Sequence, residues 1–470
     1  MLRAAGMALG GGMGLAGCAT SARPAHVSAV QEVPFQLWVV GIPQNATSVK
    51  IIQEFVDSTF NSQHKSVRAV WQWSNISSAQ VTILAGGAAP LVLAGCCASW
   101  PTIQPFLEPL DPYLQRDNVQ KAHFWSPAQL TAYQQGAGLY GLPANAVCEA
   151  FLYRQDILDQ LALSYPTPEW TAAEAAQLWQ ACAGTVGGRR RYGCTVPWEP
   201  TGPPEGLPAV VQGWGGLFAS PDGTRCLLDQ SPAIACGEYF MDLVWNGVAT
   251  GGDGSPNPGV FTGEVVFSQG AVPTIYDAVR QLGDQVKWDF ISFPRWPVRP
   301  MTILHNNFYG MNAFASNKEL AWELLRFAAV DGPWQQFCMK LTAAPPGPAP
   351  LLPDWETVLR SNAPVLKTKA LHYWTDPITT GQAAYDYAFF KYQPVQVSDL
   401  VGTFWPTLWQ HKVSVAEGFK SLSQQINTIQ AQGASSQPPP TAEQRRAAVQ
   451  AAQRRFPTEG PAVAQVMPGL

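Results

Sequence analysis

The feature that most constrains this chain is an alternation. From residue 35, short apolar runs take turns with longer stretches whose apolar residues recur at helical spacing. "FQLWVV" (35–40) reads as a buried strand, and "SVKIIQEFVDSTF" (48–60) as an amphipathic helix. "SVRAVW" (66–71) is a second strand, "SSAQVTILAGG" (77–87) a helix closed by Gly86 and Gly87, and "LVLA" (91–94) a third strand. This is the rhythm of an open α/β sheet with right-handed crossovers. It resumes at "CEAFLYR" (148–154). Three boxes of the form S/T-x-x-E then mark helix starts: Thr171 with Glu174, Ser316 with Glu319, and Ser414 with Glu417.

A chain of 470 residues with 46% hydrophobic content is long enough for two such units, each with its own core. The formal charge of −4 gives no electrostatic footprint for nucleic acid. Charged residues make up only 13%, and neutral polar side chains and 18 Trp take their place. Such a surface loses little when carboxylates protonate, which fits an acidic exterior.

The motifs of catalysis are absent from the sequence. It holds no HExxH, no Gly-x-Ser-x-Gly and no P-loop lysine motif. Gly12-x-Gly14-x-x-Gly17 has no strand before it and no ribose-binding acid in register after it. A glycosidase needs two carboxylates flanking the scissile bond. Glu149, Glu199 and Asp253 are available, but 33 acidic residues supply such triples by chance. Tyr385, Tyr387 and Tyr392 read as an exposed helical face rather than an iron site. The six His are scattered, and the nine Cys have no zinc spacing, so neither metal nor cofactor is expected, and no enzymatic turnover.

The N-terminus carries an address. Residues 1–17 have a basic start at Arg3, an uncharged middle and small residues, Ala16 and Gly17, before Cys18. That is the layout of an export signal, and the uncharged run is too short and Gly-rich to span a membrane. Leu15-Ala16-Gly17-Cys18 resembles the lipobox of bacterial lipoproteins, which implies that Cys18 becomes the lipidated first residue of the mature chain. Residues 18–34 read as its tether. Eight cysteines remain, an even number in an oxidising compartment, leaving both disulfides and buried free thiols open. The adjacent Cys96 and Cys97 do not easily pair with each other. The Pro-, Gln- and Arg-rich segment 432–470 reads as a disordered tail, with a short basic helix on an anionic surface as the alternative.

The order of motifs from about residue 35 to 431 resembles the family 1 extracellular solute-binding proteins, the sugar-binding lipoproteins of ABC importers to which maltose-binding protein belongs. The likeness is carried by "FQLWVV", "ILAGGAAPLVLAGCCASW" (83–100), "FLEPLDPYL" (106–114), "GLYGLPANAVCEAFLYRQDILDQLAL" (138–163) and "TPEWTAAEAAQLW" (167–179). It continues through "FTGEVVFSQGA" (261–271), "WDFISFP" (288–294), "MNAFASNKELAWELLRF" (311–327) and "HKVSVAEGFKSLSQQINTI" (411–429). Two places depart from the family pattern: Leu91 stands where an Asp is usual, and "HNNFYG" (305–310) replaces a Gly-Gly before the returning strand. The resemblance implies a two-lobed periplasmic-binding-protein fold of type II, each lobe an α/β sheet sandwich, with a ligand cleft at the hinge. Lobe one is placed at 35–143 plus 303–335, and lobe two at 144–302 plus 336–431. The implied function is capture of a carbohydrate and its delivery to an ABC permease by a monomer held by lipid at the outer face of the cytoplasmic membrane. A non-sugar solute, such as a polyol phosphate or polyamine, is the alternative, and an extracellular carbohydrate-active enzyme a more distant one.

Sugars pack their C–H faces on flat aromatics, and their hydroxyls need a few aimed polar groups. Trp38, Trp71, Trp73 and Trp100 fall near the carboxyl ends of the first three strands, where open α/β sheets hold ligands. Core packing is the competing reading for each. Trp214 in "GWGG" is the leading candidate, because flanking Gly lets backbone approach a solute and leaves the indole uncovered. Gln72, Asn75, Glu149, His305, Asn306 and Asn307 are the candidate polar partners.

Overall fold

The computed structural model describes residues 30–37, 42, 45–73, 89–95, 100–124, 130, 132–135, 138–197, 205–251, 257–305, 307–385, 390–435 and 447. Cys18 with its signal segment, Trp38, the 77–87 helix, Asn75, Cys96, Cys97, Glu199, Asp253, Asn306, Tyr387 and nearly all of the C-terminal tail lie outside these residues.

Along the chain, β1 (Gln31–Gln36) leads through α1 (Ala46–Ser58) to β2 (Val67–Gln72), and β3 (Val92–Gly95) follows. Next come β4 (Leu142–Pro143), β5 (Val147–Cys148), β6 (Ala150–Arg154), α2 (Ala172–Cys182) and β7 (Arg189–Val196). Helix α3 (Ser231–Trp245), β8 (Ala249–Gly251), β9 (Val265–Gly270), α4 (Thr274–Gln281) and β10 (Trp288–Ile291) continue it. The chain then forms β11 (Thr302–His305), β12 (Phe308–Met311), α5 (Lys318–Ala329), α6 (Gly332–Thr342), β13 (Ala383–Tyr385), α7 (Pro394–Trp409) and α8 (Val415–Ser435).

The first strand begins four residues before the apolar run that announces it. In β1, Val33 and Phe35 alternate inward against exposed Gln31 and Glu32, a half-buried pattern that the polar residues and Pro34 disguise. Pro34 offers no N–H, but its carbonyl accepts from Leu91. The helix starts follow capping chemistry. Thr171 and Glu174 form a complete capping box on α2, and Ser414 and Glu417 exchange bonds at the start of α8. At α5 the cap is Asn317, not Ser316: the Asn317 side chain accepts from the Leu320 N–H at 3.0 Å. The last helix runs through Ser435, into the segment read as tail. Among the described residues no helix is long and apolar enough to cross a membrane.

Two groups of buried side chains divide the molecule. One gathers residues between Val33 and Ala144 and between Phe308 and Trp334. The other, in two adjoining clusters, gathers residues between Val147 and Ile303 and between Met339 and Ile426. The chain passes between them at 144–147, 303–308 and 334–339. In the first lobe β1 and β2 pair in parallel, and β12 lies antiparallel between β3 and β4. In the second, the sheet order is β8-β7-β9-β6-β10, with β6 antiparallel to its neighbours β9 and β10. A further small sheet, β13-β11-β5, joins strands of two crossing segments to residues 383–385.

Tyr385 therefore stands on a strand of this crossing sheet and is half-buried, not on an exposed helical face. The six cysteines among the described residues, Cys148, Cys182, Cys194, Cys226, Cys236 and Cys338, are free thiols, five of them buried.

Candidate functional site at the hinge

Strand register locates the site. Gly95, the carboxyl end of β3, pairs with Phe308 at the start of β12, while Gly270, the carboxyl end of β9, pairs with Ala150 at the start of β6. The segments 144–149 and 303–307 run between these two points. The carboxyl edges of both sheets thus converge on the crossing strands, where open α/β folds hold ligands.

At the centre of that convergence, Glu149 and His305 meet. His305 Nε2 lies 2.8 Å from Glu149 Oε1, with the two side chains 14% and 2% exposed. The backbone around Glu149 is clamped: its N–H donates to the Ile303 carbonyl at 3.0 Å, and its carbonyl accepts from Thr302 Oγ1 at 2.7 Å. The second carboxylate oxygen, Oε2, is buried without a hydrogen-bond donor. Burial, reinforced by the neighbouring Glu149 charge, pushes the Cys148 thiol well above its ordinary pKa, so it stays protonated and is no nucleophile.

Asn307 is brought to the same crossing but is spent on structure. Its side-chain amide donates to Asn145 Oδ1 at 2.9 Å, and its carbonyl accepts from the Ala144 N–H and from the Tyr133 hydroxyl. Trp71 and Trp73 stand together at the end of β2, ring centroids 4.8 Å apart in an edge-to-face contact. Trp71 is buried and donates from Nε1 to the Leu37 carbonyl, whereas Trp73 is only half-buried. Gln72 between them is exposed, opposite Gln36 in the β1–β2 register. Trp100 is buried against Tyr133 and Phe308 in the first core.

The indole of Trp214 is covered, contrary to the expectation from its glycines. It is 9% exposed and stacks on Trp296 at 4.8 Å, with Tyr239 and Phe240 against it. Gly213 is small for that packing and not for a solute: a Cβ there would lie 2.2 Å from Trp296 Cδ1.

Two buried polar residues near strand ends, one in each lobe, escaped the sequence reading. Gln36 at the end of β1 is 3% exposed, and its Oε1 has no partner. In β9, Gln269 is 1% exposed: its backbone N–H donates to Thr195 Oγ1 at 2.8 Å, and its Nε2 is unpaired. The signal was present, since an amide inside an apolar strand run is costly unless something satisfies it. Among the described residues no group of three His, Cys, Asp or Glu side chains is placed to hold a metal ion.

The sequence profile of the bacterial extracellular solute-binding proteins matches residues 44–332, more than half of the chain. The fold is shared with solved two-lobed proteins at low identity. An ABC substrate-binding protein from Listeria monocytogenes, solved in complex with cycloalternan, superposes with a TM-score of 0.67 at 15% identity, covering 85% of this chain and 99% of that one. The sugar-binding protein MalE from Xanthomonas citri gives 0.66 at 17% identity, with 86% and 98% covered. A cyclic α-maltosyl-1,6-maltose binding protein from Arthrobacter globiformis gives 0.66 at 15% identity, with 86% and 99% covered. The architecture is the type II periplasmic-binding fold.

Proposed function

The chain belongs to the bacterial extracellular solute-binding protein family, and from that premise we propose that it captures a neutral carbohydrate of oligosaccharide size between its lobes and hands it to an ABC permease. The observation that carries this reading is that unshared polar atoms stand near strand ends of both lobes and on the crossing between them. Gln36 Oε1 at the end of β1, Gln269 Nε2 near the end of β9 and Glu149 Oε2 between β5 and β6 have no partner, and a sugar hydroxyl both donates and accepts. Trp73 adds a half-exposed aromatic surface for a ring face. Gln72, Trp71 and Trp100 support the site, and Asn75, Asn306 and Trp38, which lie outside the described residues, are further proposed contacts. The ligands named for the structural neighbours, cycloalternan and cyclic maltosyl-maltose, are of the same class. The protein performs no covalent chemistry on the sugar and acts as a monomer.

Calorimetric titration tests this with cycloalternan, cyclic maltosyl-maltose and mannobiose, against glycerol 3-phosphate and spermidine as charged competitors. At least one neutral sugar binds and is recovered chemically unchanged, while the charged solutes do not. Exclusive binding of either charged solute would overturn the reading, and a hydrolysed product would move the protein to the enzyme class. Trp73→Ala weakens the sugar that binds by about 1–3 kcal/mol, the scale of one aromatic contact, while the unliganded melting temperature barely moves because the ring is only half-buried. Equal affinity in wild type and variant would remove Trp73 from the site.

Delivery to a permease calls for retention at the membrane. Cleavage after Gly17 and lipidation of Cys18 provide it, two acyl chains giving stable attachment where one is marginal. Cys18→Ala releases the protein into the medium or leaves it unprocessed. A variant that stays membrane-bound at the mature mass rules the anchor out.

A further inference from the structure

We propose that His305 is a positioning residue for solute capture: it holds Glu149 through one carboxylate oxygen so that the other stays an unshared acceptor for a hydroxyl of the bound sugar. The inference rests on the carbohydrate reading above and adds to it a rule of selection.

With Glu149 as a carboxylate, which only accepts, the 2.8 Å contact is a bond donated by His305 Nε2. Both groups are fixed by the crossing sheet, in which His305 pairs with Val147 and Leu304 with Cys148. With Oε1 taken and the Glu149 backbone clamped at both its N–H and its carbonyl, Oε2 has a defined direction and no donor. Leaving a charged oxygen buried without a donor is unfavourable, and a charge-assisted bond from a hydroxyl is the strong way to relieve it. Gln36 Oε1, at the carboxyl end of β1 in the first lobe, is a second buried acceptor without a donor. Two such acceptors select a solute that donates and disfavour one whose nearest group is a phosphate or carboxylate. Since Glu149 is closed off from solvent, a hydroxyl reaches Oε2 when the lobes part, and hinge closure then buries the bond.

His305→Leu, His305→Gln and wild type are titrated with cycloalternan and with mannobiose, melted without sugar, and the wild-type imidazole is observed by nitrogen NMR. The unliganded wild-type ring carries its proton on Nε2. His305→Leu weakens whichever sugar binds by about tenfold or more, the scale of a bond to a charged group. His305→Gln, whose amide still presents an N–H to Glu149, recovers most of that loss and melts close to wild type. The affinity loss in His305→Leu exceeds what its melting temperature accounts for, whereas a plain structural role predicts that affinity falls only as far as melting temperature does in both variants. If His305→Leu does not fold, His305→Asn replaces it, polar but too short to reach Glu149, and wild-type affinity in it overturns the proposal. So does a ring proton found on Nδ1 alone. If neither sugar binds wild type, the carbohydrate reading fails first and this assignment with it; binding without any dependence on residue 305 defeats the positioning role alone.

Discussion

Trp214→Ala will lower the stability of the unliganded protein by about 3–5 kcal/mol, the range for truncating a large buried aromatic. The indole is 9% exposed and one wall of a cluster with Trp296, Tyr239 and Phe240. Trp296 cannot readily follow it into the space left behind, because its own Nε1 is bonded to the Met301 carbonyl at 2.8 Å and its ring is seated against Gly213. The cavity therefore persists, and the cost includes both the lost burial and the unfilled volume. Trp214→Phe keeps most of the stacking area and loses less. Thermal or urea unfolding without sugar checks the prediction, alongside calorimetry with the sugar that wild type prefers. A melting temperature that holds while affinity collapses would return Trp214 to the solute site.

The same residue shows where sequence and structure part. Glycines beside an aromatic signal close approach, but the sequence does not name what approaches, and here it is another tryptophan. The α/β alternation was legible because strand and helix periods are local properties. So were Thr171 with Glu174 and Ser414 with Glu417, since a cap lies within three residues of its partner. Register was harder: the alternation of Val33 and Phe35 continues "FQLWVV" backwards across a proline, and local hydrophobicity alone stops too late. The candidate site was half legible. Glu149 and His305 could each be named as polar residues near strand ends, yet their pairing joins positions 156 residues apart and exists only through the β5–β11 ladder. Gln36 and Gln269 were hidden by the apolar runs that contain them. Their meaning depends on which edge of the sheet each strand end reaches.

Gly193→Ala will be comparably disruptive, although it adds a single methyl group. Gly193 lies in β7 directly under α2, and a Cβ there would stand 2.0 Å from the Trp179 carbonyl oxygen and 2.5 Å from its carbonyl carbon. Those atoms are helix backbone, so no rotamer change relieves the clash, and α2 has to lift from the sheet. Lifting it unseats Trp179, fully buried against Phe151 and Trp170, together with Ala175 and Cys182 on the same face. Overpacking of this kind costs about 3 kcal/mol or more. For a lobe of this size that is a fall of roughly 6–12 °C in melting temperature. Gly184→Ala, in the short strand that pairs with β7, is the control: its Cβ meets nothing within 4 Å, so it melts with wild type. If Gly193→Ala also melts with wild type, α2 does not rest on the sheet at this distance. The close helix–sheet contact that makes Trp179 a core residue would then have to be abandoned.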